Sequence, residues 1–258
     1  MTSRLSPGVP DDLARADIQF AQVLTAADCD FYHSIDLPLS GPQVGDWDLR
    51  GRFDDYIGHI PLVGKTVIDI GAASGFLSFE AEQRGATVTS FDVENPGQWA
   101  QLPFPGAEPS FAGWNFERRK NAYWLAHDEL GSSAAAVYGD VYDLSPALAG
   151  TFDVALVGQT LVHLRDAISA LAAVASVCRE TMVIVEGSFE GEHPVAALCA
   201  RAARPEVDYA WYHYSYGWYR EVLGILGFPS LTITTGSYLC TFADHEPEIV
   251  LTTIVAQR

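Results

Sequence analysis

The sequence predicts an α/β fold: a doubly wound sheet of seven strands, mostly parallel, closed by a terminal antiparallel hairpin and preceded by an N-terminal helical cap. Three observations carry this. The apolar, β-branched run Thr66 to Ile70 ends in a glycine-bearing turn, Gly71-Ala72-Ala73-Ser74-Gly75, that opens a helical stretch. The next apolar run, Thr87 to Asp92, ends on an acid. Five such strands alternate with helices before two last strand-like segments, which implies parallel pairing, right-handed crossovers and a closing hairpin. The pattern is Rossmann-like.

Each element has its own signal. Residues 11–27 show helical spacing (Leu13, Ile18, Val23, Leu24) behind the start signals Pro10 and Asp11. A turn-rich stretch to Gly45 and the run Trp47-Asp48-Leu49-Arg50 precede a second short helix over 53–60. Residues 1–60 read as a cap over the ligand side of the same domain, because no linker composition separates them from the core at 61–258. The core begins with strand 65–70, helix 75–84 closed by Gly85, and strand 87–92. An insertion, 94–114, then breaks the rhythm with Trp99, Trp114 and several prolines and glycines; a loop this long is commonly functional or disordered, and the tryptophans argue for order. Helix 115–130 and strands 134–138 and 152–157 follow. The next helix carries the stripe Leu164, Ile168, Leu171, Val174 and Cys178. After strand 182–185 a second insertion, 188–218, leads into helix 219–226. Strands 231–235 and 249–256 flank a long connection.

Composition narrows the function classes. At 258 residues and 48% hydrophobic, the chain can bury a large core within one domain. No run is long and apolar enough for a membrane helix, and residues 1–10 lack the apolar centre of a signal peptide, so the expectation is a cytoplasmic protein without membrane partners. Cys29, Cys178, Cys199 and Cys240 are far apart, as reduced thiols would be, and His59, His127, His193 and His245 show no ligand spacing, so no metal site is expected. The net charge of −18, with 15 basic against 33 acidic residues, argues against a polyanionic substrate such as nucleic acid.

The glycine turn followed by a strand-terminal acid forms a nucleotide-type binding unit, in which backbone N–H groups meet the ligand and the acid accepts from a ribose. A dinucleotide fingerprint places glycine at the first, third and sixth positions of the turn. Here these are Gly71, Ala73 and Phe76, so that pattern fails twice. What remains, Asp69-x-Gly71-x-x-x-Gly75, resembles motif I of the class I S-adenosylmethionine (SAM)-dependent methyltransferases. Three further segments resemble the branch that includes the tRNA wobble-uridine carboxymethyl transferases and many small-molecule enzymes. They are Tyr32-His33-Ser34-Ile35-Asp36-Leu37 with Trp47-Asp48-Leu49-Arg50, Phe152 through Asp166, and the aromatic segment before Gly224-Ile225-Leu226-Gly227-Phe228. The likeness spans most of the chain and implies SAM as cofactor and S-adenosylhomocysteine (SAH) as product. Two departures stand out. The carboxymethyl branch has tyrosine where this chain has Val162 and glycine where it has Gln159, which points away from the carboxylated cofactor and from tRNA.

In such a sheet ligands bind at the carboxyl ends of the strands, at the switch in strand order. Gly71, Ala73, Ser74 and Gly75 would pass under the methionine part of the cofactor, with Asp69 organising the turn and reaching the ammonium group through water. Asp92, followed by Val93, would take the ribose hydroxyls. Asp140 and Val141 sit where this family reads adenine, although Asp143 is close enough to take that place. Gly158 and Gln159 end the fourth strand and would meet the methionine ammonium. His163 is the first candidate for a general base, with His33 and His213 as alternatives, and each is equally open to a structural role. The block Asp208 to Tyr219 is dense in aromatics. It reads either as core or homodimer face, or as an acceptor pocket with Trp211, Tyr212 and Tyr214 joined by Trp114. The functional expectation is methyl transfer to an oxygen or nitrogen of a small organic acceptor. An RNA-modifying methyl or carboxymethyl transferase and a non-catalytic SAM-binding protein are the rivals.

Overall fold

Strand-forming and turn-forming residues follow one another closely from residue 24 onward, in a computed structural model that describes residues 24–95, 115–199, 210–241 and 248–258. The helix expected over 11–27 lies mostly outside these residues. The described part of the cap is largely extended: β1 (Ile35–Leu37) and β2 (Gly41–Gln43) form a hairpin, then β3 (Trp47–Asp48) and the single-turn helix α1 (Phe53–Tyr56) follow. β4 (Thr66–Ile70) is the central strand. Its run of branched apolar residues is buried on both faces, as a parallel strand with neighbours on either side requires. Gly75, at φ +86, ends the turn and opens α2 (Phe76–Gln83), which stops at Gly85 (φ +85) before β5 (Thr87–Asp92). α3 (Phe116–Glu129) starts on Asn115, whose side chain accepts the Arg118 N–H, and returns to β6 (Ala135–Tyr138). α4 (Pro146–Ala149), β7 (Phe152–Gly158), α5 (Ala167–Val177) and β8 (Cys178–Glu186) complete the second half.

Beyond β8 the described residues of the second insertion include strands that its sequence did not signal. β9 (Ser188–Phe189), β10 (Ala196–Leu198) and β11 (Tyr212–Ser215) make a small separate sheet, and α6 (Tyr216–Ile225) begins inside the aromatic block because Ser215 caps it by accepting the Trp218 N–H. β12 (Ser230–Cys240) is much longer than expected, β13 (Glu248–Gln257) extends one residue beyond the expected bounds at each end, and the two pair antiparallel in register from Ser230↔Gln257 to Leu239↔Glu248.

Among the described residues the main sheet has eight strands, in the order β3-β12-β13-β8-β7-β4-β5-β6. The expected count was seven. The eighth is β3, which the cap lays along the end of β12, pairing Asp48 with Leu239 and Trp47 with Cys240. The chain leaves β4 for β5 and β6 on one side and returns as β7 on the other, so the order reverses between β4 and β7. Alternate residues of β4 feed opposite layers. Val67 joins the cap, α2 and α3 around Phe53, Phe76 and Tyr123, whereas Ile68 and Ile70 join α5 and α6 around Leu171, Val174 and Tyr219. Of the stripe expected on α5, Leu164, Leu171, Val174 and Cys178 are buried and Ile168 is not. Ile168 is 52% exposed, and the helix packs on Ala167, Ala170, Leu171 and Val174.

Candidate functional site

The carboxyl ends of β4, β5, β6 and β7 surround an open cavity at the reversal of strand order. Its floor is the turn after β4. Gly71 takes φ +77 there, and a Cβ on it would lie 2.4 Å from the Thr160 Oγ1, so only glycine fits between the ends of β4 and β7. Thr160 spans those two strand ends by donating to the carbonyls of Ile70 (3.0 Å) and Gly158 (3.1 Å). Ala73, at φ +51, presents its N–H to the Asp92 Oδ2 at 2.7 Å, while Val93 N–H meets Oδ1 at 2.7 Å. Each carboxylate oxygen thus accepts one backbone donor and keeps a second lone-pair site for a ligand. Burial raises the Asp92 carboxyl above its ordinary range, opposed by those two N–H bonds and by Lys120.

The other walls carry Asp140 and Val141 beyond β6 and Gly158, Gln159, Thr160 and His163 beyond β7. The Asp140 side chain accepts the Tyr142 N–H at 3.0 Å, capping the 3-10 turn Val141–Asp143 and fixing Val141 against the cavity. Asp143 is exposed and does not line the cavity. Gly158 is tightly enclosed, since a Cβ there would lie 2.8 Å from the Tyr56 hydroxyl. Gln159 sits at φ +49, a second non-glycine residue in the left-handed region on the same rim as Ala73. Such conformations persist where surroundings over-determine them, and they cluster at ligand sites.

Several expected site residues lie elsewhere, each for a physical reason. Asp69 is fully buried beneath the turn, off the cavity wall, and accepts the Ser78 hydroxyl at 2.6 Å. Ser78 accepts in turn from Ser90 (2.7 Å), and Ser90 from Tyr123 (2.9 Å), whose residues do reach the cavity. Burial pushes the Asp69 carboxyl up to about 7. Ser74 is likewise inside, where its Oγ accepts the N–H groups of Tyr32 (3.1 Å) and His33 (3.2 Å) and pins the cap to the turn. Gly75 packs under Phe79 and Tyr123.

Of the three histidines, the structure brings His163 alone to the cavity. His33 is 6% exposed and packed beside Tyr32 and Phe76, and burial lowers it to about 3. His213 lies on β11 against Gly187, outside the cavity lining. The aromatic block divides in two. Tyr214 is core: it is 3% exposed and stacks on Trp218 at a centroid distance of 4.0 Å. Trp211 instead hangs on the turn after β7, its backbone N–H donating to the Val162 carbonyl at 2.7 Å, and Tyr212 is half-buried beside it; neither lines the cavity. Trp114 falls outside the described residues.

Sequence reasoning missed Tyr32, Arg119, Lys120, Tyr123 and Tyr138, which complete the lining. Arg119, Lys120 and Tyr123 share one helical face by their spacing, a signal that was present in the sequence. The Arg119 guanidinium pairs with Asp46 at 2.9 Å and lies over the Tyr32 ring. Lys120 lies over Tyr138 and donates to the Glu94 carbonyl.

No protein-family model matches the chain, and no curated protein matches it. Solved structures do. Magnesium protoporphyrin IX methyltransferase from Synechocystis PCC 6803, with SAM bound, is 18% identical over 81% of this chain and 77% of its own, at a TM-score of 0.52. A 1,6-didemethyltoxoflavin-N1-methyltransferase from Burkholderia thailandensis, with its acceptor and SAH bound, gives the same identity, coverage and score. A SAM-dependent methyltransferase from Mesorhizobium loti is 15% identical over 81% of this chain and all of its own, at 0.51. At these identities the likeness establishes the fold.

Proposed function

We propose that this chain, which has the fold of the class I SAM-dependent methyltransferases, binds SAM in the cavity and transfers its methyl group to an oxygen or nitrogen of a small organic acceptor. One observation carries the reading. The Gly71–Ala73 turn and the Asp92 carboxylate share a wall at the strand-order reversal, with an acid-valine pair, Asp140 and Val141, one strand further along. The residues fit the cofactor. Asp92 retains an acceptor site on each oxygen for a pair of ribose hydroxyls, Asp140 and Val141 offer an acceptor and an apolar face for adenine, and Gly71 lets the ligand lie against bare backbone.

When bound, SAM supplies both the methyl group and its own leaving group. The protein has to align an acceptor, exclude water and handle one proton. His163 lines the cavity beside Thr160 and Gln159 and is placed to take the proton of an acceptor hydroxyl or amine. Trp211, bonded to Val162 of that turn, and the neighbouring Tyr212 lie outside the cavity lining and are our candidates for flat surface toward an organic acceptor.

Titration calorimetry with SAH, SAM and NAD tests the cofactor: SAH and SAM should bind and NAD should not. A screen of small acceptors with methyl-labelled SAM tests the reaction. The RNA rival predicts binding with a steep salt dependence; the charge of −18 leads us to expect none at physiological ionic strength.

A further inference from the structure

Glu186 ends β8 and is 2% exposed. A carboxyl so placed has to be met by donors, because burying it bare is costly. Its Oε1 accepts the Leu161 N–H at 2.6 Å and the Val162 N–H at 3.4 Å, and its Oε2 faces the Gln159 side-chain nitrogen at 3.4 Å. All three donors belong to the turn after β7, which places Gln159, Thr160 and His163 on the cavity wall. That turn is tied to its neighbours by Thr160, which donates to the Ile70 and Gly158 carbonyls, and by the Gln159 N–H, which donates to the Val185 carbonyl. It is a single 3-10 segment, Leu161–His163, entered through Gln159 in the left-handed region. The Val162 carbonyl accepts the Trp211 N–H, so the aromatic segment is bonded to a residue whose own N–H Glu186 accepts.

We infer that Glu186 is a positioning residue: its carboxyl clamps the turn after β7 and thereby sets His163 on the cavity wall, and through Val162 it also fixes the start of the aromatic segment at Trp211. The functional meaning rests on the methyltransferase reading; the clamp itself does not. Once ionised, the carboxyl accepts at both oxygens and brings no donor to oppose the converging N–H groups, as an amide would. The groups facing it are phenols: Tyr32 from the cap, Tyr56 from α1, Tyr214 from β11 and Tyr219 from α6. Burial pushes Glu186 up to about 8, opposed by N–H bonds from Leu161, Val162 and Thr160. Hydrogen bonds to an ionised carboxylate are stronger than to a neutral one, so the clamp tightens as pH rises through that value.

Amide resonances of the full-length, ¹⁵N-labelled protein, followed between about pH 6 and pH 9, test this. The Leu161, Val162 and Trp211 amides should move together with one inflection near 8, and Glu186→Gln should lose that inflection. A role confined to packing moves none of them. Absence of a common inflection in the wild type, or its survival in Glu186→Gln, overturns the proposal. Should the variant fail to fold, the wild-type titration decides alone. In calorimetry with SAH the folded variant should lose less than about tenfold in affinity; a larger loss overturns the positioning assignment. Wild-type protein that fails to bind SAH overturns the methyltransferase reading and leaves the titration intact.

Discussion

The Asp92 carboxylate, at the end of one strand, accepts the Ala73 N–H at 2.7 Å from the turn that ends its neighbour. One side chain thus shapes the turn and offers its remaining lone pairs to the ligand. Asp92→Ala removes both functions, whereas Asp92→Asn keeps an oxygen for one of them. We expect SAH affinity to fall by about 1.5–3 kcal/mol in the alanine variant and by less in the asparagine variant, as charged hydrogen bonds are lost. Calorimetry checks the order; equal affinities in wild type and Asp92→Ala would place the ribose elsewhere.

Gly71→Ala tests the floor. The added Cβ would sit 2.4 Å from the Thr160 Oγ1 at a φ of +77. The expected loss of folding stability is about 1–3 kcal/mol by denaturant titration, with cofactor binding weakened as well. Adding Thr160→Ala should recover the steric part and leave the backbone part. A fully additive pair would show that the two residues do not meet.

Asp69 makes stability depend on pH. Its folded pKa of about 7 lies above the ordinary 3.8, so between these values the native state holds a proton that the unfolded chain has lost. Stability therefore falls as pH rises through this window, by at most about 1.4 kcal/mol per pH unit for one group. Glu186, raised to about 8, acts with the same sign. Asp69→Asn cannot titrate, so its stability relative to wild type should improve by about 2 kcal/mol from pH 5 to pH 8. A difference that stays constant with pH would mean that Asp69 is ionised throughout.

The two ends of the aromatic block should respond oppositely. Tyr214, stacked on Trp218 in the core, should cost about 3–5 kcal/mol of stability when cut to alanine. Trp211→Ala should leave stability within about 1 kcal/mol, being half-buried. Once an acceptor is known, it should raise the acceptor KM or lower turnover while SAH binding holds. Loss of SAH binding in Trp211→Ala would put that ring over the cofactor.

Much of this site was legible because it depends on backbone. Gly71, the strand-terminal Asp92 and the Gly158-Gln159 strand end are local patterns, and the strand-order reversal that joins them follows from alternation of strands and helices. What stayed hidden depends on side chains meeting from distant parts of the chain. Asp69 and Ser74 carry a binding motif's spacing, yet their side chains turn inward to Ser78 and to the cap. Aromatic density could not separate Tyr214 from Trp211, since Tyr214 lies within β11 and stacks on Trp218 whereas Trp211 precedes the strand and bonds to the turn after β7. Glu186 ends a strand like many surface acids, and only the fold brings it under the turn after β7. The eighth strand was missed for the same reason: two residues of the cap, Trp47 and Asp48, become a strand only because β12 is there to pair with them.

The Ser74 hydroxyl oxygen, accepting from Tyr32 and His33, ties the docking of the cap to the conformation of the glycine turn. Two segments sharing one fastening open together or not at all, so a ligand that holds the turn closed also lowers the frequency with which the cap lifts away. Hydrogen exchange at the Tyr32 and His33 amides, both donated to Ser74, should therefore slow in proportion to SAH occupancy. Occupancy of the cavity becomes readable at the far side of the turn, as a rate at which the amino-terminal segment breathes.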